Sequence, residues 1–157
     1  MMTLSAKVLA ALQGKTLATA ESCTGGLIGG AITAVSGSSK VYKGGVVSYT
    51  NEVKCAVLGV NAETLKRYGA VSAEVAKQMA EGVKKLLLAD VAVSVTGLAG
   101  PGGDDYGNPV GTLYIGYSDD RITDCKKFLL TGDREEVRRQ TVEHALQMIL
   151  EMRLETF

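Results

Sequence analysis

A three-layer α/β/α domain on a mostly parallel sheet with one antiparallel strand is the fold class this sequence predicts. Two observations point to it. Short apolar runs alternate with helix-periodic segments as far as residue 95, the pattern of parallel strands joined by crossover helices. Two further strand-like runs then follow with only a polar turn between them, which reads as a hairpin. The length supports the class, since 157 residues suit one domain with room for a core. Residues 1–157 are therefore read as a single domain.

Taken in order, Leu4, Val8, Leu9, Ala11 and Leu12 recur at helical spacing, so the pattern predicts an amphipathic helix over 2–13 stopped by Gly14. A strand follows at about 16–20 and a helix at about 25–34, with a turn at 36–39. Residues 41–49 carry Val46, Val47 and Tyr49 and predict a second strand. Asn51 reads as the cap of a helix that has Glu52 in its first turn and carries Lys54. A short helical piece at 62–68 precedes a capped start at Ser72, whose helix runs to about residue 88. The valine-dense run 91–95 predicts a strand buried on both faces. Residues 96–109, rich in glycine and holding both prolines, predict a long loop, and loops of that length in a compact domain tend to be functional. The hairpin strands are 110–117 and 122–130. Asp133 caps a last helix running to about residue 154.

Composition narrows the function classes. Seventeen basic and seventeen acidic side chains balance, so no global field favours nucleic acid or a membrane surface. No 18-residue apolar run or charged-then-apolar leader is seen, and a soluble, cytoplasmic protein is expected. Cys23, Cys55 and Cys125 are odd in number and form no zinc or disulfide pattern, which fits a reducing compartment. With a single histidine, His144, a Ser-His-Asp triad or histidine-rich metal site is hard to build, so any hydrolytic base is expected to be something else. Neither a metal nor a cofactor is expected. Asp104 and Asp105 are adjacent loop carboxylates and weak metal candidates, and His144 reads as an ordinary helix residue.

The candidate site follows from topology. Right-handed crossovers put the turns after the first three strands on one edge, where ligands bind in open α/β sheets. Residues 22–26, 49–54 and 96–103 should therefore converge. In the first turn, Ser22 and Cys23 are nucleophile-capable and lie beside helix-start N–H groups, which Thr24, Gly25 and Gly26 leave open to a ligand. Each has a plainer reading: Ser22 as a helix cap, Cys23 as a small packing residue. A first-turn lysine faces the positive end of its helix dipole, so Lys54 is odd as a solvated residue. Desolvated there, it could be neutral at pH 7 and act as a base toward a serine. Tyr49 either packs at a strand end or orders that lysine through its hydroxyl. Thr96 caps a turn or lines the pocket, with the N–H groups from Gly97 to Gly100. Arg134, Arg138 and Arg139 form a solvated face or a phosphate clamp.

The run Ala20-Glu21-Ser22-Cys23-Thr24-Gly25-Gly26, followed by Val47-Ser48-Tyr49-Thr50-Asn51-Glu52-Val53-Lys54, resembles the CinA carboxy-terminal domain family, the nicotinamide-nucleotide amidases. Tyr68-Gly69-Ala70-Val71-Ser72, Thr96-Gly97-Leu98-Ala99-Gly100-Pro101-Gly102-Gly103, Pro109-Val110-Gly111-Thr112 and Gly132-Asp133-Arg134 through Arg138 extend it over nearly the whole chain. The resemblance implies hydrolysis of the carboxamide of nicotinamide mononucleotide to nicotinate mononucleotide and ammonia. It also implies a mixed five-stranded sheet and a homo-oligomer. By the same resemblance Ser22 matches the nucleophile and Lys54 the base, with Tyr49 nearby. Thr96 matches a Thr or Ser position lining the site, and Arg138 a substrate-binding arginine. Asn108 departs from the pattern, standing where a lysine commonly precedes Pro-Val-Gly-Thr. The large amino-terminal domain that many relatives carry is not in this sequence, so its activities are not carried over.

Both readings together predict that neutral Lys54 activates Ser22, that N–H groups around Cys23 to Gly26 hold the oxyanion, and that Arg138 and loop N–H groups hold the phosphate. Two alternatives stay open at this level: a thiol amidase using Cys23, and a nucleotide-binding or partner-binding module that turns nothing over.

Overall fold

The computed structural model describes residues 1–154. Its sheet has five strands: β1 (Leu17–Glu21), β2 (Tyr42–Val47), β3 (Val91–Gly97), β4 (Thr112–Ser118) and β5 (Thr123–Leu129). They lie in the order β2-β1-β3-β4-β5. β1 pairs in parallel with β2 and β3, whereas β4 is antiparallel to both β3 and β5. Four strands thus run one way and β4 alone opposes them, the mixed sheet the sequence predicted.

Among the described residues six α-helices cover the two faces: α1 (Leu4–Ala11), α2 (Leu27–Thr33), α3 (Asn51–Ala56), α4 (Ala62–Tyr68), α5 (Ala73–Leu86) and α6 (Arg134–Leu154). The period-2 alternation of the central strands sorts their side chains between them. Leu17, Val91, Val93 and Val95 join the core beneath α1, α2 and α6. Ala18, Ala20 and Ala92 face α5, where small residues let the helix approach closely. On β4 a Cβ on Gly116 would stand 2.4 Å from Ala76 O of α5, so that position needs glycine. Each buried valine or leucine contributes roughly 1.5–3 kcal/mol relative to exposure. β1 is buried throughout and β2, at the sheet edge, alternates between partly buried and exposed, as their positions demand.

Differences from expectation fall at element ends and have local causes. α1 starts at Leu4 because Thr3 Oγ1 accepts from Ala6 N at 3.1 Å. α2 starts at Leu27 because Gly25 and Gly26 adopt φ of +58° and +111°, a region that favours glycine. Thr50, not Asn51, caps α3, accepting from Val53 N at 3.3 Å. β3 continues to Gly97, which moves Thr96 from the loop into the strand. Asp133 does cap α6: its Oδ1 accepts from Glu136 N at 2.9 Å while its N–H donates to Glu136 Oε1 at 3.4 Å, a reciprocal capping box. His144 stacks on Phe128 with ring centroids 4.2 Å apart, an ordinary packing role. Among the described residues no helix is long and apolar enough to cross a membrane.

Candidate active site

Because β1, β2 and β3 are parallel and in register at Glu21↔Val47 and Glu21↔Val95, their following turns leave the same edge of the sheet. Those turns meet around a cavity of about 370 Å³, lined among others by Ser22, Cys23, Tyr49, Lys54, Thr96 and Arg134. The size suits a small organic molecule. The predicted convergence is what the structure shows.

Lys54, expected at this pocket, lines it. It sits on the six-residue α3 with its side chain turned inward and only 1% exposed. Its Nζ lies 3.1 Å from Ser22 Oγ, 2.8 Å from Ser48 O and 3.3 Å from Tyr49 O. Burial pulls its pKa down from 10.5 to about 8. Of the two causes expected, desolvation dominates, and a helix this short adds little dipole. Two of the three contacts are carbonyls, which can only accept. In the neutral amine two N–H bonds serve those carbonyls and the lone pair is left for the serine hydroxyl proton.

The Ser22 turn is held by a residue that sequence reasoning did not single out. Glu21 is 2% exposed, and its Oε1 accepts from Thr24 Oγ1 at 2.5 Å, Gly26 N at 3.2 Å and Ile28 N at 2.9 Å. Its Oε2 accepts from Gly29 N at 3.0 Å. The carboxylate therefore occupies the helix-start donors expected to face a ligand. Gly25 N is engaged by Ser22 O at 3.0 Å. Thr24 turns inward, and neither Gly25 nor Gly26 lines the cavity. Of the four N–H groups from Cys23 to Gly26, only those of Cys23 and Thr24 have no acceptor among the described residues. The one sequence signal was a glutamate closing a strand with no other charged residue, directly before a serine.

Cys23 lines the cavity but is a poor nucleophile. Burial pushes its thiol up to about 11, far from the thiolate form at neutral pH.

Tyr49 and the arginines differ from expectation in detail. Tyr49 orders Lys54 through its backbone carbonyl, while its hydroxyl accepts from Arg134 at 3.0 Å. Arg134 also donates to Gly100 O at 2.8 Å, so it bridges the second and third turns at the cavity wall. Arg138 does not line the cavity. Its Nε donates to Cys23 O at 3.0 Å and its terminal nitrogen to Thr24 O at 3.3 Å, bracing the Ser22 turn from outside.

Thr96, 1% exposed, lines the cavity and donates to Ala70 O at 2.8 Å. Gly97 and Gly100 line it too. The loop beyond is pinned to its own chain. Tyr106 Oη donates to Lys66 O at 2.7 Å, and Asn108 Nδ2 to Val71 O at 3.2 Å. Asp104 accepts from Asn108 N at 3.0 Å and from Asn108 Nδ2 at 2.7 Å. Asp104 and Asn108 are thus a clasp within the loop.

Comparison with known proteins agrees with this architecture. A family model described as the CinA C-terminal domain matches residues 1–153. A putative competence-damage inducible protein of Thermoanaerobacter sp. (strain X514) is 53% identical over 134 residues, 85% of this chain and 32% of that protein. A CinA-like protein of Endomicrobium trichonymphae is 51% identical over 135 residues, 86% of this chain and 32% of its own. The chain thus spans about a third of the length of these curated relatives. Among solved structures, the competence/damage inducible protein CihA from Agrobacterium tumefaciens superposes with a TM-score of 0.91 at 41% identity, covering 94% of this chain and 92% of that one. The competence damage-inducible protein A (ComA) from Klebsiella pneumoniae subsp. pneumoniae MGH 78578 gives 0.92 at 39%, covering 94% and 93%.

Proposed function

The chain belongs to the CinA C-terminal domain family, and from that premise we propose that it is an amidohydrolase acting on the carboxamide of nicotinamide mononucleotide. The observation that carries the reading is the buried Lys54 Nζ at 3.1 Å from Ser22 Oγ, with backbone carbonyls as its other partners. A structural lysine gains nothing from such a place, since burying an ammonium is costly. A base for a serine needs it.

In the reaction, neutral Lys54 accepts the Ser22 hydroxyl proton as Oγ bonds to the amide carbon. The carbonyl oxygen becomes an oxyanion facing the N–H groups of Cys23 and Thr24. Protonated Lys54 then transfers its proton to the amide nitrogen, the C–N bond breaks and ammonia leaves. Water attacks the resulting ester, giving a proton to Lys54 that returns to Ser22 Oγ as the acid departs. With a pKa near 8, roughly one molecule in ten holds the neutral amine at pH 7, enough for turnover. Arg134, at the cavity wall, takes the phosphate-facing part that the family resemblance would give Arg138.

Ammonia release from nicotinamide mononucleotide by the purified protein, with Ser22→Ala alongside, tests the reading. Turnover that vanishes in the variant supports it. Binding of the nucleotide with no turnover in either protein would favour a non-catalytic module.

A further inference from the structure

Beyond the serine and lysine, the wall beside them carries a group whose hydrogen-bonding polarity is determined by its surroundings. Ala20↔Ser94 and Glu21↔Val95 are register pairs of β1 and β3, and Ser22 N donates to Val95 O at 3.2 Å. The next row therefore sets Ser22 beside Thr96, one strand spacing away. Both continue the face that carries Ala18 and Ala20 on one strand and Ser94 on the other, the latter bonded to Ala76 O of α5. Both line the cavity.

A threonine hydroxyl has one proton and two lone pairs. The Thr96 proton goes to Ala70 O at 2.8 Å, and a carbonyl can only accept. Ala70 O is itself set by the turn ahead of α5, where Ser72 Oγ donates to Gly69 O at 2.8 Å and caps the helix. What remains of the Thr96 hydroxyl toward the cavity is therefore acceptor only. A group docked there must donate. Ser22 Oγ, Lys54 and Thr96 are three different tools: a nucleophile, a base and a fixed acceptor.

We propose that Thr96 selects carboxamides by accepting a hydrogen bond from the substrate's amide N–H beside Ser22. An ester oxygen or a carboxylate presents only lone pairs to Thr96 Oγ and is disfavoured, so the same contact that holds the amide helps expel the acid product. The inference rests on the amidohydrolase reading and sharpens its substrate class.

The test compares nicotinamide mononucleotide with the methyl ester of nicotinate mononucleotide, measuring kcat/KM for ammonia and methanol release. Thr96→Val keeps the shape and removes the acceptor. It is expected to lower amide turnover roughly 10- to 100-fold, the loss of one hydrogen bond, while ester turnover holds or rises. Thr96→Ser should restore the wild-type ratio. Amide and ester turnover falling together in Thr96→Val would overturn the inference and leave a purely structural threonine. A wild-type protein that hydrolyses neither compound would instead overturn the amidohydrolase reading itself, whatever Thr96 does.

Discussion

Arg138 Nε donates to the carbonyl of Cys23 at 3.0 Å, on the outer side of the turn that carries Ser22. Because a trans peptide is planar, the N–H of Thr24 points opposite to that carbonyl. A guanidinium bound to the oxygen thus sets the direction of that N–H from a position that does not line the cavity.

Arg138→Met is therefore expected to lower kcat by about 10- to 100-fold, as loss of oxyanion alignment does, while KM changes by less than about threefold. Steady-state kinetics on nicotinamide mononucleotide separates the two. A higher KM with unchanged kcat would place Arg138 on the substrate instead.

Turnover should climb with pH and level off above about 8, as burial-depressed Lys54 loses its proton and becomes the base. Lys54→Met should be inactive from about pH 6 to 9; near-wild-type rates there would remove Lys54 from the mechanism. The same shift is readable in stability. The folded pKa, about 8, lies below the ordinary value of 10.5, so between them the unfolded chain binds a proton that the folded chain lacks. Stability contributed at this residue is therefore lowest below pH 8 and rises toward pH 10.5. Against Lys54→Met, wild-type unfolding free energy should gain at most about 3 kcal/mol over that window, measured by urea denaturation.

Glu21→Ala should destabilise the fold by about 2–4 kcal/mol, since it leaves the buried start of α2 without its acceptor. Glu21→Gln, which keeps one acceptor oxygen, should fall between. Chemical denaturation midpoints give the order, and a Glu21→Ala protein as stable as wild type would contradict the role of the carboxylate.

Cys23→Ala should retain turnover within a few-fold, and iodoacetamide should modify the wild-type Cys23 slowly at pH 7, because burial keeps its thiol protonated with a pKa near 11. Loss of turnover in Cys23→Ala equal to that in Ser22→Ala would revive a thiol mechanism.

Much of this site is written in short-range signals. Small residues and glycines after an apolar run mark the Ser22 turn, and strand–helix alternation sends three turns to one edge. Lys54 stands out by type and place. The rest depends on three-dimensional register. Arg134 and Arg138 are about one turn apart on a single helix, about 6 Å along its axis, and periodicity does not tell which one reaches the cavity. Tyr49 was legible as a site residue, but the working atom toward Lys54 is its carbonyl, which every residue possesses. Glu21 was hidden because its donors lie three to eight residues farther along the chain and meet its carboxylate only in the folded turn, where Gly25 and Gly26 have positive φ. Thr96 was expected in a loop, although β3 carries it two positions farther than its valines suggest.

The cavity-lining residues run from Ser22 to Arg134 of one chain, and the loop over them is tied by Tyr106 to α4 of that same chain. A lining drawn from positions so far apart in sequence exists only in the folded chain, so the cavity and the fold should be lost together on denaturation.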